Sequence, residues 1–151
     1  MTIFKRRKKR LLSEKHRRQI REAIQQAERQ TSGEIRVVLE ALCQGDPYER
    51  ALEHFAKLGM IHTRQRNGVL VYVALKDRKF ALVGDEGIHR HVGDQFWQEV
   101  AETMCSYFQK GQVIEGIRMG VLRIGEVLSR YFPSLGEADL NELPDEVVEG
   151  P

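Results

Sequence analysis

Residues 67–93 read NGVLVYVALKDRKFALVGDEGIHRHVG, and the folding of this stretch decides the architecture. Residues 68–75 are nearly all apolar and rich in valine. That length and β-branched content predict a strand covered on both faces, since a helix needs a longer run with a wider period. Lys76, Asp77, Arg78 and Lys79 make a charged turn, and residues 80–83 form a second apolar run. Two such runs a turn apart pair as an antiparallel hairpin. Gly84 ends the second run, and a polar loop is expected over residues 84–94 with Asp85, Glu86, His89, His91 and Asp94. Ligand-type side chains just past a strand end suit a binding site on a sheet.

Upstream, Ser13 is placed to cap a helix running to about Arg29, with Ile20, Ala23, Ile24 and Ala27 on one apolar face. Thr31, Ser32 and Gly33 stop that helix, and residues 34–40, EIRVVLE, read as a strand. Asp46 and Pro47 open a second helix and Gly59 closes it. His54 and His62 stand alone and are expected to be exposed or half-buried.

Downstream, Asp94 is expected to open a helix whose apolar stripe runs through Trp97, Val100, Ala101, Met104, Cys105 and Phe108, burying the Cys105 thiol. Gly111 breaks the chain, and residues 112–131 return to helical periodicity. Gly116, Gly120 and Gly125 weaken that helix, each by roughly 1 kcal/mol against alanine. Their presence points to close backbone approach to the sheet or to another helix. Pro133 ends the folded part. The order is helix, strand, helix, strand, strand, helix, helix. The expected fold class is α/β, a compact sandwich with a small mixed β-sheet packed between α-helices. The crossover between the first two strands should be parallel and right-handed if they are neighbours.

The chain of 151 residues fits one domain with tails. The expected division is a basic arm at 1–10, the α/β domain at 11–133 and a loosely attached acidic tail at 134–151. Net charge is only +2, but residues 5–10 are six basic residues in a row and residues 137–151 carry six acids. The arm from Lys5 to Arg10 suits an anionic membrane surface or an acidic protein partner. Nucleic acid is not the expected partner, because no aromatic residues interleave the basic run. Cys43 and Cys105 lie far apart and outside any zinc spacing. No apolar run approaches the roughly 18 residues of a membrane-spanning helix, and the basic start lacks a secretory apolar region. A soluble, reduced, cytoplasmic protein is expected.

Dinucleotide, P-loop, nucleophile-elbow and HExxH motifs are all missing from the sequence. The candidate site is therefore the stretch 84–94. Carboxylates of Asp85, Glu86 and Asp94 offer oxygen ligands to a hard divalent cation, calcium or magnesium. His89 and His91 alternate, so on an extended segment they would point the same way and, with a carboxylate, hold zinc. The competing reading is an exposed polar loop in which Asp94 is simply a helix cap.

Three pieces in order, TSGEIRVV, RNGVLVYVALKDRKFALVGDEGI and FQKGQVIEGI, resemble the TPM domain family over residues 11–133. That family includes thylakoid-lumen proteins implicated in photosystem II repair. The resemblance implies an α/β sandwich, acid phosphatase activity in some members and divalent-cation binding in others. By position, Gly84, Gly87 and Asp94 look like the family's glycine-containing loop and following aspartate, and Gly111 and Gly116 like the glycines of a later segment. Gln112 and Val113 replace that segment's usual acidic and aromatic residues, and KRRKKRLLSE stands where an acidic stretch is usual. These departures suggest a short soluble cytoplasmic branch. The expected function is a domain that binds a divalent cation and hydrolyses a phosphomonoester substrate slowly, with Asp85, Glu86, His89 and Asp94 as the metal set. The alternative is a non-enzymatic adaptor docking through its basic arm.

Overall fold

The computed structural model describes residues 11–134 and 147–150. The basic arm at 1–10 and most of the acidic stretch lie outside the described residues. Helix α1 spans Glu14–Glu28, strand β1 Glu34–Glu40, helix α2 Pro47–Lys57, strand β2 Gly68–Ala74 and strand β3 Lys79–Gly84. Helices α3 (Glu86–Gln109) and α4 (Val113–Tyr131) follow, and a short strand β4 spans Val148–Glu149. The sheet order is β3-β2-β1-β4. β2 pairs with β3 antiparallel, as the hairpin required, and β1 pairs with β2 parallel. Fold class and sheet are those expected, with one strand more.

Side-chain alternation on β1 and β2 explains the sandwich. Val37, Leu39, Val69, Val71 and Val73 face a core shared with α1, α3 and α4. Val38, Leu70, Tyr72 and Ala74 face a second core with Phe55 of α2, Met60, and Ala81 and Val83 of β3. Every residue of β1 and β2 is buried, so β2 reads as a continuous apolar run, while the polar residues of β1, Glu34, Arg36 and Glu40, share a face with Val38 and are buried as well.

The helix starts follow their sequence signals. Ser13 Oγ accepts from the His16 N–H at 3.1 Å. Asp46 accepts from the Tyr48 N–H at 3.2 Å, with Pro47 in the first turn. The glycines of α4 are approach points to helices rather than to the sheet. A Cβ on Gly120 would meet Met104 Sδ of α3 at 2.6 Å, and one on Gly125 would meet Ala27 Cβ of α1 at 2.4 Å.

Three expectations change. Cys43, not Cys105, is the buried thiol; Cys105 is half-buried near the C-terminal end of α3. His54 is buried rather than surface-lying, because it bonds a buried carboxylate described below. The acidic tail is not loose at its far end. Val147 is buried in the main core, and β4 adds to the free edge of β1. Among the described residues, no helix is long and apolar enough to cross a membrane.

Candidate functional site

The expected polar loop over 84–94 is instead helical from Glu86 onward. Asp85 is the reason. Its backbone is extended and its Oδ1 accepts from the Glu86 N–H at 2.8 Å, so it caps α3. Ile88, 1 % exposed, anchors the first turn in the core. Gly87 packs so closely on the preceding segment that a Cβ would lie 2.1 Å from the Gln65 carbonyl oxygen. The helix then kinks at Gly93, whose φ of 71° lies in the left-handed region glycine tolerates. Asp94 follows the kink, so the expected helix start there is a restart.

Helical geometry separates the two histidines, which an extended segment would have aligned. His91 stacks on the Tyr131 ring at 4.6 Å and meets Phe132 edge-on. His89 turns toward Trp97, whose indole N–H donates to His89 Nδ1 at 3.0 Å. An indole nitrogen can only donate, so Nδ1 is the acceptor and the ring proton sits on Nε2. That Nε2 lies 3.6 Å from Asp94 Oδ1. His89 is therefore arranged as a hydrogen-bond donor, not as a metal ligand.

Asp85 is committed elsewhere. Arg66 grips it with a fork, Nε to Oδ2 at 2.7 Å and Nη2 to Oδ1 at 2.9 Å. Asp85 keeps the Arg66 guanidinium protonated beyond its ordinary range. Arg66 also lies 3.6 Å from Glu86 Oε1 and holds a left-handed φ of 52°, unusual for a side chain of its size. Asp85→Ala removes a helix cap and leaves the partly exposed Arg66 guanidinium without its buried partner. It is expected to cost about 2 kcal/mol, read as a lower melting temperature, while Asp85→Asn keeps the cap and costs about half of that.

The other three expected residues come together. Glu86, His89 and Asp94 line an open cleft of about 610 Å³, with Tyr48, Leu82, Gly84, Trp97 and Gln98 as its remaining wall. The Trp97 ring lies over Gly84, where a Cβ would come within 2.2 Å of it. Glu86 and Asp94 are exposed, with side chains 60 % and 91 % accessible, so both carboxylates face water. Arg66, Tyr48 and Trp97 were not legible as site residues. The one local hint was Trp97 eight residues after His89, two helical turns along α3.

Among the described residues, no three His, Cys, Asp or Glu side chains converge as a metal cage. The donors therefore do not fit zinc, which takes three or four converging protein ligands, since His89 and His91 turn to different partners. The oxygen donors left at the cleft are the two exposed carboxylates of Glu86 and Asp94.

A second polar centre sits at the C-terminal end of β1. Glu40 accepts from Arg50 Nε at 2.7 Å and Nη2 at 2.8 Å, and from His54 Nε2 at 2.9 Å. Burial alone would push the Glu40 carboxyl up. The bonds from Arg50 and His54 outweigh it and bring it down to about 2. Burial, together with nearby Cys43 and Glu40, pushes the Tyr72 hydroxyl well above its ordinary range. Both Glu40 oxygens are occupied and the side chain is 3 % exposed, so this centre is structural.

Comparison with known proteins agrees with the fold. The family described as "TPM domain" matches residues 6–127. No curated protein matches the chain. The NMR structure of the BA42 protein from the psychrophilic bacterium Bizionia argentinensis is similar at a TM-score of 0.86 and 37% identity, covering 94% of this chain and 97% of that one. The N-terminal domain of a P. gingivalis protein is similar at a TM-score of 0.64 and 21% identity, covering 81% of this chain and 79% of that one. An N-terminal domain from Corynebacterium glutamicum is similar at 0.62 and 13%, covering 93% and 82%. The last two speak to the fold alone.

Proposed function

This chain belongs to the TPM domain family, and we propose that it is a binding domain that takes a hydrated divalent cation, magnesium or calcium, at the Glu86–Asp94 cleft. The observation that supports this reading is that Glu86, His89 and Asp94 line one open cleft. Glu86 and Asp94 supply the carboxylate oxygens. Asp85 and Arg66 fix the helix end that carries Glu86. Trp97 fixes the His89 ring so that its Nε2–H points at Asp94 and the cleft.

The cation, when bound, would supply positive charge to neutralise phosphate oxygens. His89 Nε2–H would donate to such an oxygen in the same cleft. Phosphomonoester hydrolysis is the enzymatic extension of this reading, and Asp85, held by Arg66, is not its nucleophile.

Melting in the presence of each cation tests the binding reading. At ten times the dissociation constant, a native-state ligand adds about 1.4 kcal/mol, which raises the melting temperature of a domain this size by roughly 3–6 °C. The rise should vanish in the double variant Glu86→Gln, Asp94→Asn, which keeps the shape and removes both charges. A full rise in that variant would place the cation elsewhere. The same preparations assayed with p-nitrophenyl phosphate test the extension: turnover that survives the double substitution excludes this cleft as its seat.

A further inference from the structure

The free edge of β1 is filled by a short segment whose every residue meets a distinct requirement. β4 runs parallel to β1, with Val38 opposite Val148 and Leu39 opposite Glu149. The Gly150 N–H donates to the Leu39 carbonyl at 2.6 Å. Val147 is 5 % exposed and sits in the core with α1 and α4. Val148 packs against the opposite core, the one shared with α2. Glu149 Oε1 accepts from Arg17 Nη1 of α1 at 2.5 Å, and the second arm of that guanidinium reaches the Val147 carbonyl at 3.5 Å. At Gly150 a Cβ would fall 2.5 Å from Glu40 Cγ and 2.7 Å from its Oε2, so only glycine fits. The groove thus reads apolar, apolar, acidic, glycine.

Two ladder pairs hold this strand. A pairing that short is marginal on its own, and edge pairing of an extended segment is a common mode of peptide recognition. We propose that the edge of β1, framed by Arg17 and Glu40, is a recognition groove for an extended peptide of a partner with this apolar-apolar-acidic-glycine pattern. Residues 147–150 of the same chain occupy it in cis. The partner's acid pairs with Arg17, its glycine lies on the Glu40 carboxylate, and its backbone takes the hydrogen bond now made by Gly150. This inference is independent of the cation cleft, which lies on other elements.

The test uses the full chain carrying Val147→Asp and Glu149→Ala, which disables its own strand, and the probe peptide PDEVVEGP, residues 144–151. The peptide should shift the Val38, Leu39 and Glu40 amides saturably. Adding Arg17→Glu should weaken that binding by about tenfold or more, and a peptide with arginine in place of its Glu149 should restore it. A peptide with alanine in place of Gly150 should not bind. Three results would overturn the proposal. One is loss of the folded near-ultraviolet circular dichroism in the disabled chain, which would make the strand an integral part of the fold. The others are a folded variant that ignores the peptide, and equal binding of a scrambled peptide.

Discussion

Replacing Glu40 with alanine is expected to lower stability by about 3–5 kcal/mol, the cost of leaving the other half of a buried ion pair behind. Glu40 accepts three bonds, from Arg50 twice and from His54. Its removal deserts the His54 N–H, which is buried, and leaves Arg50 with Glu53 at the rim. The pH dependence gives an independent reading. The folded carboxyl binds its proton more weakly than the ordinary group, at about 2 against 4.5. Its contribution is therefore complete above about 4.5 and is lost as pH falls toward 2. A difference of that size is worth about 3 kcal/mol at neutral pH. Urea unfolding across that window should show the native chain losing stability on acidification, and Glu40→Ala losing less by about that amount. An unchanged pH profile in the variant would mean the network is not where the acid sensitivity resides.

Gly125→Val is the second large effect. Gly125 is the point where α4 crosses α1, and even a lone Cβ would lie 2.4 Å from Ala27 Cβ and 2.8 Å from Ala27 Cα. The second of these is backbone, so the helices must part, which exposes Ile24, Val121 and Ile124 from the same core. Overpacking of this kind costs about 3 kcal/mol. Thermal melting of the variant checks it; a melting temperature within a degree of the native value would show that the helices do not meet there.

The parts legible in the sequence were those whose signal is local. β2 is a continuous apolar run because it is buried on both faces, and such a run admits few other readings at that length. The α4 glycines told of close approach but not of the partner, because steric need has no address in the sequence. The stretch 84–94 was misread for a definite reason. Gly-Asp-Glu-Gly carries turn chemistry and helix-cap chemistry equally well. What decides is tertiary: Arg66 grips Asp85 from the loop before β2, and Ile88 needs burial. The histidines followed that error, since their common direction depended on an extended backbone. The Glu40 network was missed because its partners are ten and fourteen residues away, on another element. Arg50 and His54 one helical turn apart, beside Ala51 and Phe55, were the available sign. β4 has two residues in acidic surroundings and no periodicity to detect.

The cation cleft is tested most directly by following the backbone amides of the full chain while magnesium, and separately calcium, is added to about 10 mM, a level that saturates even weak oxygen-ligand sites. Saturable shifts are expected at Glu86, Gly87, His89 and Asp94, with Val38 and Leu39 of β1 unmoved, and with no response in Glu86→Gln, Asp94→Asn. Amides of 86–94 that stay in place, or a response that persists in the double variant, would contradict cation binding at this cleft.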